Sequence, residues 1–283
     1  MAMHYSRPFY PYYIVAILYF LLVGLSSQAN AHSSSGELDD QNKVIWALIW
    51  TADFDRLIET APPAYTVQAI RSFQRREGFF ATGALKPSQK QLLFAMAQQI
   101  SSDVGAERVT EPRAGVTLVV PRNFITHVVP TRFGTVLSGS RRGPFRLTTF
   151  ALPGGEGALE DLHVYLRKSV GGPGATTRFD KLENHRMILV RIHAPLRTYI
   201  YAVGGPMGVK GFSMTWSIEN TELLHRVVGA AANSFAPSAH EPQPAPRAER
   251  RGPRALEAGT EEGGTDSAVE SLIEVLARPG LGE

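Results

Sequence analysis

Apolar residues recur at helical spacing in three consecutive segments near the start of the chain. In the middle segment, Ala69, Ile70 and Phe73 share one face of a helix. Thr66 can cap its first turn, and Gly78 can end it in a left-handed conformation. The flanking segments contribute Val44, Ile45, Leu48 and Ile49 before it and Leu92, Leu93 and Met96 after it. Short helices are marginal alone in water, so these stripes predict a three-helix module over residues 41–98.

Prolines and acidic residues mark the expected helix boundaries. Pro62 and Pro63 precede the middle helix, which is expected to begin after them because a helix does not continue through proline. Pro87 occupies the expected first position of the third helix. Asp39 or Asp40 is expected to cap the first helix. Residues 99–114 contain few large apolar side chains and are predicted to be a linker.

From residue 115 to residue 237 the pattern changes to β-branched and aromatic runs. Strands are predicted at 116–120, 135–137, 145–152, 175–182, 186–193, 198–203 and 208–217. Residues 183–185 have the length of a hairpin turn between two of these strands. Helical spacing returns at 157–169 and again from Leu223 to Ala231. Consecutive strands with one inserted and one terminal helix predict an α+β domain, an antiparallel sheet with packed helices.

The two ends of the chain have different compositions. Residues 1–31 resemble a secretory signal, with an apolar run at 14–25 and Ala-Asn-Ala at 29–31. This predicts a location outside the cytoplasm, either periplasmic or secreted. An uncleaved signal that anchors the protein in the membrane is the alternative. Residues 238–264 are rich in Pro, Ala, Glu, Arg and Gly, which predicts a disordered tail. Helical spacing at 266–277 predicts a short helix that binds a groove on an envelope protein or is only transiently helical.

Charge narrows the class of partner. Residues 115–235 carry 14 Lys and Arg against 7 Asp and Glu, a net charge of about +7. Arg141 and Arg142 form one local cluster and are candidate ligand-binding residues. Because export takes the protein away from nucleic acid, the predicted partner is peptidoglycan or another anionic envelope polymer. A basic surface without a specific partner is the alternative.

Motifs for catalysis and for metal or cofactor binding are missing from the sequence. The chain has no cysteine, which excludes disulfides, thiolate metal sites and cysteine nucleophiles. It contains no Gly-x-Ser-x-Gly elbow and no His-Glu-x-x-His pair. The glycine-rich residues 171–177 lack the Gly-Lys-Ser/Thr ending of a phosphate loop. We therefore expect a non-catalytic protein without metal or cofactor. A hydrolase with its site in the α+β domain and a protein–protein adaptor are the rival hypotheses.

Residues 44–93 resemble the peptidoglycan-binding-like domain, a three-helix module of bacterial envelope proteins. The resemblance covers about a fifth of the chain and rests on Thr66, Ala69-Ile70, Phe73-Gln74, Gly78 and residues 82–87. It makes Asp53 and Asp55 the acidic candidates of a ligand-binding loop. Trp46 and Trp50, four residues apart on the first helix, are candidate sugar platforms, and packing of both is the alternative.

The loop that the resemblance assigns to ligand binding departs from the family pattern. Ala52, Arg56, Thr60 and Pro63 stand where the family usually has glycine, and Glu59 replaces the usual aspartate. Glycine permits positive φ and a close approach of the backbone to a ligand. Either binding is retained, or the helices persist as a folding unit whose loop no longer binds peptidoglycan by itself.

The region after residue 115 resembles PsbP-like α+β sandwiches in its layout. The likeness rests on residues 115–121, the hairpin at 177–191, residues 198–201 and 209–216, and residues 231–237. Such sandwiches are mostly non-catalytic, so the resemblance favours a binding role and names no ligand.

Overall fold

The computed structural model describes residues 33–140, 142–169 and 174–238, and residue 272. In this part of the chain it is an α+β protein with five α-helices and two antiparallel sheets. The predicted signal at 1–31, Arg141 and nearly all of the predicted tail lie outside the described residues. Of that tail, Ser238 and Leu272 are described, and Leu272 is helical and 1% exposed.

The helices begin and end near the predicted places, with two differences at their N-termini. They are α1 Ser33–Trp50, α2 Pro63–Arg76, α3 Pro87–Val104, α4 Ala158–Ser169 and α5 Thr221–Ser234. The prediction that α2 begins at a Thr66 cap was wrong, because Pro63 occupies its first turn. Proline suits that position because its φ is preset and no N–H partner is needed there. Helix α1 likewise begins before Asp39 and Asp40.

The strands form a small and a large sheet. The small sheet has the order β1-β2-β10, with β1 Ala106–Glu111, β2 Val116–Pro121 and β10 Ala236–Pro237. The large sheet contains β3 His127–Pro130, β4 Thr135–Gly139, β5 Phe145–Leu152, β6 Thr176–Glu183, β7 Arg186–His193, β8 Leu196–Gly205 and β9 Gly208–Ser217. Its order is β3-β4-β5-β9-β8-β7-β6. Residues 99–114, the predicted linker, contain the end of α3 and strand β1.

Each face of the large sheet packs against helices. Side chains alternate along a strand, so Ile200 and Ala202 of β8 lie on one face and Tyr199 and Tyr201 on the other. The first face shares a hydrophobic cluster with α4 and with Leu272. The second face shares a larger cluster with α5 and also with α1, α2 and α3.

The continuity of this larger cluster bears on the predicted domain organisation. Leu48 and Phe73 from the N-terminal helices belong to the same core as Phe212 of β9 and Val227 of α5. All of them lie within one compact unit that begins at Gln41. The coarse prediction of an α+β fold is confirmed, whereas a separate three-helix module at 41–98 is not. Over the described residues, no helix combines the length and apolar character needed to cross a bilayer.

Candidate functional site: a basic cleft

A cleft of about 800 Å³ opens on the α5-facing side of the large sheet. Its walls come from the connection between α1 and α2, from strands β6 to β9, and from α5. The aromatic lining residues are Phe54, Tyr65, Phe179, Tyr199 and Trp216. The cationic lining residues are Arg56, Arg178, Lys181, Arg186, Arg197 and Arg226. We call this feature the basic cleft.

Strand alternation and register place these side chains together. On β7, Arg186, Ile188 and Val190 are two residues apart and therefore point to the same face. Val190 lies opposite Tyr199 of β8, which is followed along the sheet by β9. Two residues along β8, Arg197 lies opposite Trp216 of β9. The floor of the cleft is therefore apolar and aromatic, with arginines at defined positions within it.

Carboxylates neutralise only part of the positive charge. Arg186 pairs with Glu59, Lys181 with Glu183 at 2.5 Å, and Arg226 with Glu222 at 2.8 Å. The Arg56 guanidinium lies over the Tyr65 ring, 4.5 Å from its centroid. Within the described residues, neither Arg178 nor Arg197 makes an ion pair. The cleft therefore has unneutralised positive charge.

Three buried donors that line the cleft have no acceptor in the described part of the chain. Trp216 is 2% exposed, and its indole Nε1 has no hydrogen-bond partner among the described residues. The same holds for the buried Nε atoms of Arg197 and Arg226. Buried polar atoms in folded proteins are nearly always hydrogen-bonded. Three such donors lining one cleft indicate a place that a ligand or ordered water completes.

Titration behaviour reflects a partly dehydrated cleft. Desolvation, and then the Arg197 charge, lower the pKa of His225, while Asp55 opposes them. Burial raises the pKa of Tyr199 above its usual range, with a smaller contribution from Tyr201. Desolvation also raises the pKa of Tyr65, whose hydroxyl donates to Asp55. The imidazole and both phenols therefore favour their neutral forms.

The candidate residues on α1 and just after it occupy two different environments. Trp46 and Trp50 line a shallow groove of about 380 Å³ that shares no lining residue with the basic cleft. Trp50 is buried and Trp46 partly so. The Asp53 carboxylate accepts from Thr51 and from Arg76, each at 2.7 Å, and its side chain is 4% exposed. Its position is that of a structural ion pair.

Asp55 and Arg142, the other described candidates, are also apart from each other. Asp55 is the candidate that lies in the basic cleft, where it accepts the Tyr65 hydroxyl. Arg142 donates to the Asp103 carbonyl at 3.2 Å and lies over the Phe124 ring, 5.6 Å from its centroid. Arg142 does not line the basic cleft.

Apart from Asp55, sequence reasoning did not single out the residues of the cleft. Arg178, Lys181, Arg186, Arg197 and Arg226 lie on three strands and one helix. A signal was present in the strands, where arginine alternates with apolar residues on a face that should be buried. Assigning that signal to one site required the strand order, which alternation does not give.

Comparison with known proteins assigns no family. No protein-family model matches the chain, and no curated protein matches it. The resemblances of residues 44–93 to peptidoglycan-binding-like domains and of the later region to PsbP-like sandwiches therefore stay predictions. Functional assignment consequently depends on the basic cleft.

In the described residues, no group of three or more His, Asp or Glu side chains is arranged to hold a metal ion. The cleft offers guanidinium, ammonium, indole and phenol groups, which are recognition groups for anions and for flat or apolar surfaces. Its carboxylates, Asp55 and Glu183, already accept from Tyr65 and pair with Lys181. This arrangement is suited to binding an anionic ligand.

Proposed function

We propose that this chain is an exported, non-catalytic protein of the bacterial cell envelope that binds peptidoglycan or another anionic envelope polymer in the basic cleft. The observation that carries the proposal is the unneutralised charge of Arg178 and Arg197 beside an aromatic floor. Guanidinium groups recognise carboxylates and phosphates, and aromatic faces pack against sugar rings and apolar groups.

The envelope assignment comes from the sequence. The signal-like residues 1–31 and the resemblance of residues 44–93 to peptidoglycan-binding-like domains both favour a wall-associated role. The α1–α2 connection, which the resemblance matches to the family's binding loop, contributes Asp55, Arg56 and Thr60 to the cleft wall. A ligand in the cleft would thus contact that connection and the sheet together, which explains how binding can persist without the loop glycines.

Sedimentation with purified peptidoglycan tests the proposal. We expect the secreted form of the protein to pellet with the wall and Arg178→Glu to weaken binding about tenfold, or ~1.4 kcal/mol. Arg108→Glu is the matched control, because Arg108 is an exposed arginine on β1 that does not line the cleft. Binding should also weaken at high salt, since charges are screened over about 8 Å at physiological ionic strength and about 3 Å at 1 M.

Further variants separate the rival hypotheses. Charge reversal at Arg141 and Arg142 tests the basic cluster predicted from sequence, and a smaller effect than that of Arg178→Glu is expected. Salt-resistant binding that is lost on changing Trp46, Trp50 or Asp53 would assign the site to the helices instead. Release of soluble fragments from the wall would contradict a non-catalytic role and support the hydrolase hypothesis.

A further inference from the structure

We propose that the basic cleft contains an anion subsite, in which Trp216 Nε1–H and the guanidinium groups of Arg197 and Arg226 donate to a single carboxylate or phosphate. The subsite deepens the proposed function, because it assigns the anionic group of the ligand to three named donors. Its existence is nevertheless testable without knowing the whole ligand.

The three donors come from three different elements that line the same cleft. Arg197 on β8 and Trp216 on β9 are direct cross-strand neighbours on the α5-facing side of the sheet. Arg226 comes from α5 and lines the same cleft. Because two strands and a helix fix these positions, the donors are preorganised for a ligand.

The hydrogen-bonding state of each donor leaves capacity for an acceptor. Arg226 uses Nη2 to bind Glu222 at 2.8 Å, while its buried Nε has no partner in the described part of the chain. The Arg197 Nε and the Trp216 Nε1 are equally buried and without acceptors there. Indole and guanidinium groups are donors only, so whatever completes them must supply oxygen lone pairs.

Charge favours an anion over a neutral acceptor. Arg197 has no carboxylate in ion-pair contact among the described residues. The nearby Asp55 accepts from Tyr65, and Glu222 is already paired with Arg226. The lowered pKa of His225, caused by desolvation and then by the Arg197 charge, agrees with a positive environment beside Arg197. A carboxylate or phosphate would satisfy the donors and neutralise Arg197 together.

The rest of the cleft limits what carries the anion. Ile188, Val190 and Tyr199 form an apolar surface beside the subsite. A cleft of about 800 Å³ is within the range of small-molecule sites. The ligand class is therefore a carboxylate or phosphate on a sugar or apolar body. Wall peptide stems supply the first anion, and phosphate-containing envelope polymers supply the second.

Nuclear magnetic resonance of the indole N–H groups tests the subsite directly. The chain has three tryptophans, so the ¹⁵N-labelled secreted protein gives three indole signals, and Trp216→Phe assigns the one that matters. One titration uses soluble muramyl-peptide fragments as carboxylate probes, and another uses glycerol phosphate. We expect a saturable downfield shift of the Trp216 indole proton, with the Trp46 and Trp50 signals unchanged.

Arg197 variants test whether the Trp216 indole shift depends on the Arg197 guanidinium group. Arg197→Gln should weaken the titration at least about tenfold, whereas Arg108→Gln should not. Arg197→Lys keeps the charge and should give an intermediate affinity because the fork of donors is lost. A shift with only one probe identifies which anion is recognised, and both titrations are repeated with each variant.

The outcomes distinguish this inference from the proposed function. A Trp216 signal that no probe moves, in a protein that still pellets with peptidoglycan in an Arg178-dependent manner, overturns the subsite and leaves wall binding intact. A Trp216 shift that titrates in Arg197→Gln with the wild-type midpoint also contradicts it. A shift with soluble probes in a protein that does not pellet supports the subsite and refutes wall binding.

Discussion

Gln74 and Gln89 form a buried amide pair between α2 and α3, with Gln74 Nε2 donating to Gln89 Oε1 at 3.1 Å. Gln74 is fully buried and Gln89 is 6% exposed. Gln74 also donates to the Ala84 carbonyl and accepts from the Gly83 N–H, each at 2.9 Å. Gln89 accepts from the Lys86 N–H at 3.0 Å. These contacts connect both helices to the loop between them.

Replacing the first of these amides should destabilise the protein. Gln74→Met keeps the side-chain length but leaves the Gly83 N–H without its acceptor, while the Ala84 carbonyl keeps only the Thr82 hydroxyl at 3.1 Å. A buried polar group left unsatisfied costs about 1–3 kcal/mol. For a unit of this size, each 1 kcal/mol lowers Tm by roughly 2–4 °C. Thermal unfolding followed by circular dichroism measures the effect.

Gln91→Met is the matched control, because Gln91 lies on the exposed side of α3. It should leave Tm nearly unchanged. Equal shifts in the two variants would show that the Gln74 hydrogen bonds contribute little beyond a general effect of methionine.

Periodicity predicted most of the regular structure. The predicted strands at 145–152, 186–193 and 208–217 coincide with β5, β7 and β9. The predicted turn at 183–185 is confirmed, and Asn184 and His185 have positive φ values of 51° and 57°. Strand β1 was missed because Glu107, Arg108 and Thr110 give it an exposed, polar character. Antiparallel pairing with β2 stabilises this strand, although its own side-chain pattern does not predict it.

The candidate site was less accessible to sequence reasoning than the fold. Asp55 was identified and lies in the basic cleft, since a local motif singled it out. Arg197 and Trp216 are 19 positions apart and become neighbours only through the β8–β9 register. Arg226 joins them by the packing of α5 on the sheet. A site assembled by the tertiary structure in this way cannot be predicted from local sequence patterns.

Truncation of the α2 core residue Phe73 should destabilise the whole compact unit. Phe73 is fully buried in the cluster that also contains sheet and α5 residues. Phe73→Ala should therefore cost about 3–5 kcal/mol through lost burial and a residual cavity. Urea unfolding followed by far-UV circular dichroism and by tryptophan fluorescence should show one shifted transition with both probes.

Phe80→Ala is the control, because Phe80 is 94% exposed in the same region. It should leave the midpoint unchanged. Two separate transitions, of which only one responds to Phe73→Ala, would instead support an independent three-helix module.

A buried carboxylate ties the small sheet to the large one. Glu111 of β1 accepts from Thr135 Oγ1 at 3.0 Å and from Thr149 Oγ1 at 3.2 Å. It also accepts from the N–H groups of Arg113 and Ala114, at 3.0 and 2.7 Å. Glu111→Gln exchanges one acceptor oxygen for a donor, so about 1–3 kcal/mol of stability should be lost.

Urea denaturation measures that loss, and Glu156→Gln is its control because Glu156 is exposed in a loop. A Glu111→Gln protein with wild-type stability would mean that the amide finds other partners and that the four contacts do not hold the sheets together.

Folding stability should depend on pH through His225. Part of its ring is open to solvent, yet desolvation and the Arg197 charge lower its pKa in the folded state, with Asp55 opposing them. In the unfolded chain the histidine pKa is about 6.5, so the unfolded state binds more protons than the folded state as the pH falls. This contribution to stability is fully present above the unfolded pKa and is lost as the pH falls from there through the lower folded pKa.

Urea unfolding from about pH 8 to about pH 5 should consequently show stability that decreases towards acid. His225→Asn should reduce this slope, because the substituted side chain does not titrate. His193→Asn is the control, since His193 is exposed and does not line the cleft. Carboxylates contribute to the slope in every variant, so the informative quantity is the difference between wild type and His225→Asn. An identical pH dependence in those two proteins would show that His225 has the same pKa in the folded and unfolded states.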